Sequence, residues 1–222
     1  MAHSIVPIRP LRAGIRYDVK AWRAEIQQQL SPESRFIPSM TLFHFSEDAG
    51  IRQFIPRTPV HRHDVEPLVW AIDDWHAPMY FFPRDCPRIL VWPLPETTGD
   101  DLERWFGPSR ARMLAFMEYG WLERVHSTPI YRYEMPYKGF FSLDDAGMFV
   151  SREPVTPVSM EPVGDPVEAL RAAGVELRLS ETLTHLRGAW DTSLHASGIR
   201  LRNALGWDHA PSPAPDAIRR PG

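Results

Sequence analysis

Cysteine is almost missing from this chain of 222 residues, with Cys86 the single one, so no intramolecular disulfide can form. That usage fits a reducing compartment. Nowhere do 18 apolar residues run together, which argues against a membrane-spanning helix, and the N-terminus carries no apolar h-region of a secretory signal. The expectation is a soluble, cytoplasmic protein without a membrane partner. Positive charge is not in excess: the formal net charge is −3. A strongly basic surface of the kind that binds nucleic acid is therefore not expected. No Gly-rich phosphate loop, HExxH or G-x-S-x-G is found, so Rossmann, zincin and α/β-hydrolase readings lose their usual signatures. His61 and His63, with His44 and His76 elsewhere, are too sparse a set to predict a metal. Lysine is rare as well, two against 23 arginines, which reflects coding bias more than function.

What is present suffices for one sizeable core with extensions or for two small domains, with 43% hydrophobic and 11% aromatic residues. The charge is unevenly distributed. Residues 1–36 carry six basic and three acidic side chains, whereas residues 37–180 carry 14 and 21. The stretch Leu68–Trp92, LVWAIDDWHAPMYFFPRDCPRILVW, organises the rest. Leu68–Ile72 is apolar and rich in β-branched and aromatic residues, which predicts a buried strand. Asp73 and Asp74 offer a cap to a short helix over Trp75–Phe82, with Pro78 in or near its first turn and Pro83 ending it. Pro87–Trp92 predicts a second buried strand.

The remainder reads in order. Asp18–Leu30 has apolar residues at helical spacing, a helix outside the main domain. Thr41–Ser46 is a strand whose alternation places Leu42, His44 and Ser46 on one face and Phe43 and Phe45 on the other. Asp100 or Asp101 caps a helix through Trp105, and Ser109–Tyr119 predicts another helix with Gly120 after it. Pro129–Met135 alternates as a strand, Phe140–Leu143 is a short strand or turn, and Met148–Ser151 and Val155–Pro162 are extended. Pro166–Ala173 is a helix, and Val175–Leu179 a strand. Leu183–Leu205 is helical by pattern, although Gly188 and Gly198 weaken it. Four prolines and little apolar content make 210–222 a disordered tail. The expected organisation is an N-terminal arm and helix over 1–36, an α+β domain over 37–180, a C-terminal helical extension over 181–209, and the tail.

Three segments carry a family resemblance: LFHFSE at 42–47, VWAIDDWHAPMYFFPRDCPR at 69–88, and YRYEMPYKGFFSLDDAGMFVSREPVTPVSMEPVGD at 131–165. The chain resembles a bacterial family of uncharacterised proteins with the LFHFSED and FFPRDCPR signatures. More distantly its order resembles ADP-ribosyltransferase-like domains of the His-Tyr-Glu type. There a first strand carries a His beside a hydroxyl residue, as His44-x-Ser46 does. A second strand turns into a helix bearing an aromatic that stacks on nicotinamide, a place Tyr80 fits. A later Glu before Val-x-Pro is catalytic, as in Glu153-Pro154-Val155-Thr156-Pro157. The resemblance implies a split, two-sheet α+β core with a cleft for NAD as substrate, a small-molecule nucleotide partner, and an unknown acceptor. A second helical tyrosine of that pattern is not evident.

The chemistry implied is cleavage of the ribose–nicotinamide bond through an oxocarbenium-like transition state. It needs a carboxylate near the ribose, an aromatic against the nicotinamide, and donors on the ribose and diphosphate. Glu153 and His44 are the catalytic candidates. His44, Ser46, Tyr80, Arg57, Arg84 and Arg88 are the candidates for binding the cofactor. Each has a plainer reading: His44 and Tyr80 as core, Glu153 as surface, Arg84 and Arg88 as an ion-paired knot with Asp85, and Cys86 as a small buried hydrophobe. A non-enzymatic ligand-binding module on the same fold is the alternative. Removal of an RNA 2′-phosphate, which similar folds perform, is a weaker third.

Overall fold

A computed structural model describes residues 40–58 and 66–208 of the chain. The expected N-terminal helix at 18–30, the His61–Asp64 loop and the tail at 210–222 lie outside those residues. The described part is a mixed α+β structure with two sheets. Its strands are β1 (Leu42–Ser46), β2 (Val69–Asp73), β3 (Arg88–Trp92), β4 (Met113–Glu118), β5 (Tyr131–Met135), β6 (Phe141–Ser142), β7 (Met148–Ser151), β8 (Ser159–Pro162), β9 (Val175–Ser180) and β10 (His195–Ile199). Its α-helices are α1 (Gly99–Phe106), α2 (Leu122–Ser127) and α3 (Pro166–Ala172). None of them is long and apolar enough to cross a membrane.

One sheet has six strands in the order β6-β7-β2-β1-β5-β8, and the other four, β10-β3-β4-β9. All pairings are antiparallel except β4 with β9. The sheets share a large apolar cluster. The six-stranded sheet lends Ile72 to it and packs Phe43, Phe45 and Met148 against it, while the four-stranded sheet contributes Leu90, Trp92, Met113, Ala115 and Met117. The odd-numbered and even-numbered residues of β3 and β4 part company here. Ile89, Val91, Leu114 and Phe116 face a second cluster with Leu102 and Phe106 of α1 and with Leu183, Leu186 and Ala189. The four-stranded sheet is thus covered on both faces, and its central strands are buried throughout. A third cluster, with Leu42, Phe54, Val69, Tyr133 and Val155, lies on the outer face of the six-stranded sheet.

Two expectations are corrected. Ser109–Tyr119 is not a helix: Met113–Glu118 is β4, buried at all six positions between β3 and β9. Leu, Met, Ala and Glu favour helices in isolation, but burial on both faces of a sheet overrides a propensity of a few tenths of a kcal/mol per residue. Leu183–Leu205 is not one helix either. A 3₁₀ segment covers Thr184–Asp191, and His195–Ile199 then forms β10 on β3. Glu118, itself buried, accepts a hydrogen bond from the Leu205 N–H at 2.8 Å and ties the end of this segment to β4. A smaller adjustment concerns Trp75–Phe82, of which only Ala77–Tyr80 is helical and as a 3₁₀ turn. Asp73 does cap the approach to it, accepting the His76 N–H at 2.7 Å.

Candidate functional site

β1 is paired unequally on its two sides. Against β5 it matches five residues, Leu42–Ser46 with Met135–Tyr131. Against β2 only Leu42↔Asp73 and Phe43↔Ile72 match. Beyond Phe43 the two strands part, and the His44 side chain bridges the gap: Nδ1 donates to the Trp70 carbonyl oxygen at 2.7 Å. A carbonyl oxygen only accepts, so Nδ1 carries the proton and Nε2 is the acceptor of the neutral ring. Burial lowers the His44 pKa below its ordinary value, the bond to Trp70 works against that, and the Arg84 charge adds to it. The imidazole is therefore neutral at physiological pH. The Phe54 ring packs at 4.5 Å from its centroid.

Three cavities meet at His44. The first, about 400 Å³, is lined by Ser46, Tyr80, Arg84 and Arg88 and by Glu47, Arg200 and Arg202. The second, about 80 Å³, lies between Phe43, Phe45, Trp70 and Tyr80 and is aromatic in character. The third, about 480 Å³, is lined by Ser46, Arg57, Phe54, Val69, Trp70, Arg84 and Arg200. Tyr80 stands between the first two, its ring stacked on Phe45 at 6.2 Å and 8°. Burial raises the Tyr80 phenol pKa above its ordinary value, so the hydroxyl stays protonated.

Arg88 is the unusual member. Its residue is only 2% exposed. Nε donates to the Met79 carbonyl oxygen at 2.7 Å and Nη1 to that of Cys86 at 2.9 Å, and the guanidinium lies over the rings of Phe82 and Tyr80. No carboxylate of a described residue pairs with it. Burial pulls its pKa down to about 10, still leaving it charged at neutral pH. An ion-paired knot with Asp85 is therefore not what holds it. Cys86 beside it is fully buried, with its thiol pushed up to about 12 by burial, as a packed apolar group behaves.

Five of the candidates, His44, Ser46, Tyr80, Arg84 and Arg88, thus line one cavity, and Arg57 joins three of them in the adjoining one. Glu153 lines none of the three. It is exposed, and its backbone N–H and carbonyl both engage the Ser151 hydroxyl at 3.2 Å. Its chain neighbours flank the third cavity, since Ser151 pairs with Val69 and Val155 bridges to Phe54. Glu47, Arg200 and Arg202 are lining residues that sequence reasoning missed. Glu47 anchors the wall through its Oε1, which accepts the Arg84 N–H at 2.8 Å. Arg200 and Arg202 were hidden by the helical reading of 183–205. Gly198 was the available signal that this stretch is not a helix.

Among the described residues no group of three or more His, Cys, Asp or Glu can hold a metal ion. A family model, Family of unknown function (DUF6886), matches residues 43–204, well over half of the chain. No curated protein and no solved structure matches.

Proposed function

The chain belongs to DUF6886, a family of unknown function, and from its site we propose that it binds NAD and cleaves the nicotinamide–ribose bond. The observation that carries this reading is the convergence of His44, Tyr80 and an unpaired, buried Arg88 on adjoining cavities. A buried charge without a counter-charge is costly, and a ligand phosphate supplies the anion Arg88 lacks. The aromatic cavity between Phe43, Phe45, Trp70 and Tyr80 suits a flat ring such as nicotinamide. Neutral His44 offers Nε2 as acceptor to a ribose hydroxyl. In the reaction the bond from ribose C1′ to the pyridinium nitrogen breaks, and its electron pair leaves with neutral nicotinamide. The ribose carries the positive charge until an acceptor oxygen or water attacks C1′ and gives up its proton. Glu153 is the carboxylate this reading assigns to that charge, from a position outside the three cavities.

A second reading keeps the ligand and drops the chemistry. It is favoured by one observation: Glu153 lines none of the three cavities. The protein is then a nucleotide-binding module. Nicotinamide release from NAD separates the two. Under the first reading the wild type releases nicotinamide, and Glu153→Gln lowers turnover by roughly 10²–10³-fold while NAD still raises the melting temperature. NAD binding without release by the wild type selects the module. Absence of both binding and release rejects NAD altogether.

A further inference from the structure

The cavities at His44 carry an excess of positive charge. Four guanidiniums, Arg84, Arg88, Arg200 and Arg202, line the first against a single carboxylate, Glu47. Extending the count to the third cavity adds one of each sign, Arg57 and Asp48. Either way three positive charges remain, because His44 is neutral. The two carboxylates are already engaged: Glu47 accepts the Arg84 N–H, and Asp48 Oδ1 accepts the Gly50 N–H at 2.7 Å. No described carboxylate forms an ion pair with any of these five arginines.

The cluster is also held in place. β10 pairs Ile199 with Arg88, so the chain emerges beside the buried guanidinium. Arg200 then takes a left-handed conformation, φ 57°, uncommon for a side chain of its size, and its Nε donates to the Arg84 carbonyl oxygen at 3.1 Å. Asn203 Nδ2 donates to the Asp85 carbonyl oxygen at 2.8 Å. Two side-chain bonds thus fasten a turn that crowds like charges together. The Arg200 charge works against protonated Arg88, as the Arg84 charge works against protonated His44. The mutual repulsion of these charges is relieved by an anion.

A dinucleotide diphosphate brings two negative charges and leaves the cavity positive. A phosphomonoester adds about 1.5–2 more near neutral pH. Resting on the proposed NAD reading, we infer that the preferred ligand is a nicotinamide dinucleotide bearing a phosphomonoester in addition to its diphosphate, the class to which NADP belongs. Arg202, exposed at the mouth of the cavity, is the residue that separates it from the unphosphorylated form.

Isothermal titration of the full chain with NAD, NADP and a short mixed-sequence single-stranded RNA, at one fixed salt concentration, tests this. NADP is expected to bind at least about tenfold more tightly than NAD, the scale of one added charge-assisted contact. Arg202→Ala brings that ratio below about threefold, and Arg202→Lys restores part of it, with melting temperatures of both variants within a degree or two of wild type. Equal affinity for NAD and NADP overturns the inference and leaves the NAD reading standing. An Arg202→Ala variant that weakens both ligands equally also overturns it. RNA binding tighter than either dinucleotide overturns it in favour of a polyanion. Failure of both dinucleotides to bind removes the NAD reading and the inference with it.

Discussion

β4 and β1 are both interior strands, yet they treat their neighbours differently. β4 pairs four residues with β3 and six with β9, and every one of its side chains is buried. β1 is fully paired on one side and released after two residues on the other, and four of its five residues are only half-buried. The first arrangement satisfies the backbone and leaves no room for a ligand. The second gives up ladder bonds and replaces one of them with an imidazole. The buried core and the cavities thus lie along different strands.

The sharpest test of that division is Leu114→Ala in β4. Leu114 is fully buried, and its truncation costs about 2–5 kcal/mol in urea denaturation. Nucleotide affinity measured below the transition is expected to be unchanged. A shift in affinity would break the separation between the two sheets. Next in size is Arg88→Lys, which keeps the charge and loses the planar fork. A single ammonium does not reproduce the fork that serves both the Met79 and Cys86 carbonyls, and the loss is about 1–3 kcal/mol with strongly weakened nucleotide binding. A stable variant with unaltered binding would remove Arg88 from the site.

His44 sharpens the comparison through pH. Its folded pKa lies below the ordinary 6.5, so the unfolded chain takes up the proton first. Its neutral form favours folding above about pH 6.5, and that contribution is lost as the pH falls through that value towards the folded pKa. The melting temperature is expected to fall between pH 7.5 and 5.5, and His44→Gln to flatten the slope. Part of the slope remains, because His195 is shifted in the same direction by burial. An unaltered slope would mean the His44 ring is not buried as a neutral group. The smallest effect belongs to Cys86. With its thiol near 12, iodoacetamide at pH 8 is expected to label the protein only as fast as it unfolds. Rapid labelling of native protein would show an opening in the core that the packing denies.

Much of this fold is legible in the sequence. β2 and β3 emerge from β-branched and aromatic runs, and β1 from the alternation that separates His44 from Phe43 and Phe45. α3, expected over Pro166–Ala173, is found over Pro166–Ala172 with Asp165 as its cap. β4 does not, because MLAFME contains no β-branched residue and its strand character comes from the sheets around it. β10 was concealed for a related reason, since apolar residues spaced across a 3₁₀ segment and a strand imitate helical periodicity. Of the residues lining the cavities at His44, those on β1 and in the segment between β2 and β3 were legible. Arg200 and Arg202 depend on a pairing between distant segments, which no local pattern encodes.

That pairing sets a timetable. Ile199 lies 111 positions beyond Arg88, its partner on β3. At a synthesis rate of about 5–20 residues per second, the ribosome makes β10 roughly 5–20 s after β3. Until then one wall of the cavity has not been made. A chain that ends before β10 lacks the strand that brings Arg200 and Arg202 to the cavity. The cavity is therefore complete only once β10 has been made and has paired with β3.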